Sequence, residues 1–135
     1  MAKLQATEFE LVEPRFVSIR PRGRLVVDEA TVLMELVTNA VGHEPFFLFE
    51  VFMADVDGAD PEARRAIAQG LRALPDRAIA FIGCSFSQKI LAKLVVTAVS
   101  MMGQSGNSIA FFDEQERARQ WLRDYAAKAQ AKQGK

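Results

Sequence analysis

Three apolar runs limit what this chain can become. "FFLFEVFM" (46–53), "RAIAFIGC" (77–84) and "SIAFFD" (108–113) are rich in β-branched and aromatic residues. Each is followed by a segment of about 15 residues whose apolar positions recur three or four apart. A strand that returns to pair in parallel with its neighbour needs a long crossover, and a helix of this length supplies one. The repeat therefore predicts a largely parallel sheet with right-handed crossovers. The first run is apolar on both faces except at Glu50, so it belongs at the centre of the sheet, covered on both sides.

Before the repeat, Phe9 and Leu11, extending to Val12, read as a strand. Glu13-Pro14 reads as a turn, and "RFVSIRPRGRL" as a second strand carrying Phe16, Val17 and Ile19. In the first helix Asp28 is the expected cap, Ala30, Leu33, Met34, Val37 and Val41 the buried face, and Gly42 the C-cap. His43 lies just beyond, where a histidine complements the helix dipole. The second helix has Asp60 as cap and Pro61 at its first position, with Ala63, Ala66, Ile67, Gly70, Leu71 and Leu74 inward. Ser85 or Ser87 caps the third. Asp113 caps the fourth, which turns Ala118, Trp121, Leu122 and Tyr125 inward. The order is β-β-α-β-α-β-α-β-α: an α/β fold with four to five strands, mostly parallel after an N-terminal hairpin, and about four helices.

The 135 residues fit a single domain, 1–135, with a core over about 8–125 and residues 126–135 as a frayed helix end. Seventeen basic and seventeen acidic residues cancel, so no global field draws nucleic acid, and none is expected as a partner. Arg15, Arg20, Arg22 and Arg24, and Arg64, Arg65 and Arg72, read as solvated faces. A lone Cys84, no apolar N-terminal run and no apolar stretch long enough to span a bilayer point to a cytoplasmic protein without a transmembrane segment.

The hairpin, "RGRL" entering a helix, "DPEARRAIAQGLRALP", "AIAFIGCSF" and "FFDEQERARQWL" together resemble small bacterial SpoIIAA-like proteins. These belong to the STAS superfamily (sulphate transporter and anti-sigma-factor antagonist), and the resemblance spans roughly Glu8 to Tyr125. It implies a STAS-type sheet with packed helices and a binding or regulatory role without catalysis. It also implies an anti-sigma-like or other signalling protein as partner. The wider fold neighbourhood, similar to CRAL-TRIO lipid-binding domains, holds apolar ligands. Anti-sigma-factor antagonists are switched by phosphorylation of a serine after the central strand. The matching segment, Ala54 to Pro61, has no Ser or Thr, and none occurs from Asn39 to Cys84. Asp57 or Asp60 stands there as a fixed negative charge, although capping is the simpler role for Asp60.

Other chemistries are incomplete. "DVDG" resembles the opening motif of haloacid-dehalogenase-type phosphatases, with Asp55 as nucleophile and Asp57 as general acid. Ser85, Lys89, Lys93 and the pair Asp113 and Glu114 are its crude counterparts. Against it, Ala59 replaces the expected hydroxyl, and the loop runs straight into a helix with no room for a flap. One cysteine and one histidine exclude a structural zinc site, and no metal or cofactor is expected. Cys84 lies between a strand end and a helix start, where a thiol pKa can fall; a small buried residue is the plainer reading. Ser85, Ser87 and Lys89 could meet an anion at that helix start, but the spacing is not that of a phosphate-binding loop.

The third helix carries more apolar surface than one sheet face needs. Ile90, Leu91, Leu94, Val95, Ala98, Val99 and Met102 form its broad apolar face, and Val96 and Met101 spill over the sides. Val96, Met101 and Met102 are the candidate face for a neighbouring helix, a homodimer partner or an apolar small molecule. The sequence thus points first to a non-enzymatic interaction module contacting its partner through Asp55, Asp57, Asp60, Ser85, Ser87 and Lys89. An apolar-ligand or lipid carrier is the alternative, and the phosphatase a more distant one.

Overall fold

The computed structural model describes residues 4–101 and 107–133. Strands β1 (Glu8–Glu13) and β2 (Phe16–Arg20) form the hairpin, followed by a short β3 (Gly23–Leu25) and α1 (Val27–Val41). Then come β4 (Phe46–Phe52), β5 (Val56–Ala59), α2 (Pro61–Arg72), β6 (Asp76–Ile82), α3 (Phe86–Met101), β7 (Asn107–Phe112) and α4 (Gln115–Gln133). The main sheet has the order β1-β2-β4-β6-β7, with β1 antiparallel to β2 and every other pairing parallel. β4 is central, as its two-faced apolarity requires.

Alternation along each strand divides the core. Phe47, Phe49 and Val51 of β4 and Ile79 of β6 pack with Leu33, Met34, Val37 and Leu71 of α1 and α2. On the opposite face Leu48, Ala78, Ala80 and Ile82 pack with Ala118 and Leu122 of α4. The two alanines of β6 leave room for α4 to lie close, and among the described residues that helix alone covers this face.

Several local expectations need correction. The second strand stops at Arg20, because Pro21 offers no N–H to the ladder and Gly23 takes a left-handed φ of 68°. The chain then pairs β3 with β5 in a separate two-stranded parallel sheet that the sequence pattern had not shown. Asp28 is not the cap of α1. Val26 holds that position, its carbonyl accepting from Ala30 N at 3.0 Å, and Asp28 sits in the first turn. Gly42 does close α1, in right-handed geometry. Residues 126–133 continue α4 as helix, consistent with their helix-forming Ala, Lys and Gln.

Two of the buried charges, Glu29 and Arg77, fix the helices α1 and α2. Glu29 accepts backbone N–H bonds from Gln5, Ala6 and Thr7 at 2.7–2.9 Å, tying the N-terminal segment to α1. Arg77 is buried at the start of β6, and its Nη2 donates to the carbonyls of Leu71 and Leu74 at 2.7 and 2.9 Å. It thus closes the C-terminal end of α2, where a cation suits the dipole.

Candidate functional site

The parallel strands β4 and β6 end on the same edge, and the segments that follow them meet there. Met53 N donates to the Ile82 carbonyl at 2.8 Å, and Gly83 N to that of Phe112 at 2.9 Å. Gly83, with φ of 76°, turns the chain out of β6 toward α3. Ser85 begins α3 with a reciprocal cap: its Oγ accepts from Gln88 N at 3.2 Å, and its N–H donates to Gln88 Oε1 at 2.8 Å. Ser85, not Ser87, is therefore the cap. The Gln88 amide has a second use. Its Nε2 donates to the carbonyls of Met53 and Val56, at 2.9 and 2.8 Å. One side chain thus holds the start of α3 against the turn that carries Asp55.

β5 is the surprise of this edge. Its pairing with β3, helped by Gly23 N to Asp55 O and Asp60 N to Leu25 O, makes Val56–Ala59 a short strand, with Asp55 in the turn before it. Asp55 and Asp57 are exposed, with no ion-pair partner among the described residues. Asp60 occupies the N-cap position of α2 but makes no side-chain capping bond. Its carboxylate pairs instead with the Arg24 guanidinium. The capping role expected of Asp60 is thus corrected, and its charge is neutralised by an arginine on the facing strand.

Lys89 and Lys93 lay their ammonium groups over the Phe111 ring, at 5.8 and 5.7 Å from its centroid. Among the described residues no group of three or more His, Cys, Asp or Glu stands close enough to hold a metal ion. Cys84 is half-buried, and burial pushes its thiol up to about 11, against a smaller opposing pull from Lys89. The lowered thiol pKa considered for this position is overturned, because desolvation outweighs the helix start and the lysine.

Two features of this half of the molecule escaped the sequence pattern. α3 presents Phe86, Ile90 and Leu94, spaced one turn apart, at 79, 48 and 56% exposure. The spacing was visible in the sequence; which face of α3 would lack cover was not. Val96 and Met101 lie in α3, but their side chains, and Met102 as a whole, lie outside the described residues. The second feature is Arg64. It was read as part of a solvated face, but its Nε is buried without a hydrogen-bond partner among the described residues. Arg20 and Arg22 are exposed and pair at the surface with Glu8, and Arg15 pairs with Glu44.

No protein-family model and no curated protein matches the chain. Solved structures do. An uncharacterised DUF3478-family protein with a SpoIIAA-like fold from Shewanella loihica superposes with a TM-score of 0.68 at 16% identity, covering 90% of this chain and 98% of that one. The anti-sigma factor antagonist SpoIIAA in its unphosphorylated form gives 0.57 at 15% identity, covering 87% of this chain and 98% of that one. A candidate anti-sigma factor antagonist from Thermotoga maritima gives 0.59 at 14%, covering 86% and 93%. The chain has the SpoIIAA-like, STAS-type α/β fold. Among the described residues no helix is long and apolar enough to cross a membrane.

Proposed function

We propose that this protein is a non-enzymatic regulatory module that works by binding another protein at the edge formed by Asp55, Asp57 and the first turns of α3. The observation that carries this reading is the exposed ridge of Phe86, Ile90 and Leu94 on α3, the helix whose Gln88 bonds the carbonyls of Met53 and Val56 on either side of the exposed Asp55. Apolar side chains aligned on one helix face are the usual means of docking into a partner's groove. Asp55 and Asp57 add a requirement for basic groups at the rim of that groove. The similarity to anti-sigma factor antagonists supports a regulatory role for the fold. The mode of control differs from a phosphorylation switch in the segment after β4, because Ala54 to Pro61 offers no hydroxyl. In its place Asp57 supplies a charge that does not switch.

A photo-crosslinking amino acid at position 86, compared with one at Lys128 on α4, tests the surface. The expected result is a discrete crosslinked protein from position 86 alone, lost when Asp55 and Asp57 are replaced by lysine. Crosslinks to a second copy of this chain would reassign the ridge to a homodimer interface. Phosphatase turnover that disappears in Asp55→Asn or Asp57→Asn would overturn the non-enzymatic reading.

A further inference from the structure

The space between the main sheet and the layer of α1, α2 and α3 is not completely filled. A cavity of about 110 Å³ remains, floored by Phe49, Val51 and Ile79 and roofed by Leu33 and Leu71. Among the described residues Arg64 is the one charged residue in its wall. The cavity reaches the surface between the start of α2 and the β3–β5 pair, where Leu25, Val56, Ala59 and Arg64 are only half-buried. An apolar cavity of about 150 Å³ stays dry and accepts a benzene ring, so this one has room for a short alkyl end.

Two independent observations therefore converge. The interior is hydrocarbon, so whatever enters must be apolar at its inner end. At the wall stands a guanidinium whose Nε–H is withdrawn from water and has no acceptor among the described residues. Such an orphaned donor is costly, and a carboxylate is the acceptor that suits a guanidinium best. Asp60, on the preceding turn, is already committed to Arg24. We propose that the cavity binds a small aliphatic carboxylic acid, its alkyl end inside and its carboxylate at the mouth accepting from Arg64. Cavity size sets an upper limit on chain length, and Arg64 selects the acid over the alcohol.

The test uses the full chain labelled with ¹⁵N-arginine, titrated with butanoate, hexanoate and octanoate and, as a neutral match, hexanol. The expected result is saturable binding of hexanoate that shifts the Arg64 Nε–H resonance. In Arg64→Gln the hexanoate affinity falls by about tenfold or more, while hexanol binds both proteins equally. Ala59→Leu, which adds volume at the mouth, weakens acid and alcohol together. Thermal unfolding of each variant separates loss of the site from loss of the fold. Hexanoate binding unchanged in Arg64→Gln would overturn the assignment of the carboxylate. Absence of saturable binding by every acid in the wild-type protein would overturn the site itself.

Discussion

Glu50, fully buried in the central strand, receives Arg119 from the facing helix α4 at 2.9 Å from Nε and 3.2 Å from Nη2. Ser18 Oγ, directly across the strand pair, donates to the same carboxylate at 2.8 Å, and Gln115 Nε2 at 3.3 Å. The guanidinium also lies over the Phe16 ring, 5.3 Å from its centroid. Among the described residues α4 is the only helix on this face, and the hydrocarbon contacts of Ala118 and Leu122 would tolerate some sliding. The carboxylate would not, so the pair fixes where α4 sits along the sheet.

The two partners are unequally buried, and their removal should cost unequally. Arg119→Ala leaves Glu50 a buried, uncompensated charge, at a cost of about 3–5 kcal/mol. Glu50→Met leaves Arg119, already 31% exposed, free to turn to water, and should cost clearly less. Replacing both by methionine should return the stability to near the wild-type level. Urea denaturation of the three variants measures the order. Equal losses for the two single variants would show that burial of Glu50 is not the controlling factor.

Glu29 makes the fold acid-sensitive in a defined direction. Burial, the largest single influence, raises its pKa, but the three N–H bonds and the Thr7 hydroxyl together outweigh it, so the net shift is below the ordinary 4.5. Its contribution is therefore complete above about pH 4.5 and is lost as pH falls through the lowered folded value. Glu29→Gln should destabilise the protein by about 1–3 kcal/mol near neutrality. The gap should close as the solution is acidified below pH 4.5. A gap independent of pH in that range would mean that the N-terminal segment does not depend on the charge.

The elements were legible in the sequence where periodicity and burial agree. "FFLFEVFM" and "AIAFI" could only be covered strands, and Ala118 and Leu122 could only face the sheet. What escaped was pairing between residues far apart in sequence. Nothing local to Asp60 shows that Arg24 will take its carboxylate, so its preference for capping was the better local guess and lost to a tertiary contact. Gln88 gave a signal that was missed: Ser85 followed three residues later by a glutamine is a capping box. Its second bonds to Met53 and Val56 had no signal at all, since they depend on β4 and β6 ending side by side. The Arg64 cavity is likewise a property of packing, not of any one segment.

Cys84 should behave as a protected thiol. With a pKa of about 11, only about one part in ten thousand is thiolate at pH 7. Alkylation should be slow at neutral pH and should accelerate with rising pH well beyond the range of an ordinary cysteine. Lys89→Ala should push the pKa higher still, because that ammonium opposes the effect of burial. Ultraviolet titration of the thiolate checks both. A midpoint near the ordinary cysteine value of about 8.5 would contradict the desolvation described here.

Gly70 is where the usual helix rule should reverse. In an exposed helix, glycine to alanine stabilises by about 1 kcal/mol. Here a Cβ at position 70 would stand 2.7–2.9 Å from Cε, Cγ and Cβ of Met34, closer than carbon atoms can approach. The far end of Met34 can rotate away, but its Cβ moves only with the backbone of α1. Gly70→Ala should therefore cost about 1–3 kcal/mol by forcing α1 and α2 apart. Met34→Ala removes two of the three clashing atoms while leaving a cavity of its own. In the double variant the alanine at position 70 partly fills that space, so the combined loss should be smaller than the sum of the single losses. Thermal or urea unfolding of the four proteins closes the cycle. Strict additivity would show that these two positions do not meet across the helix pair.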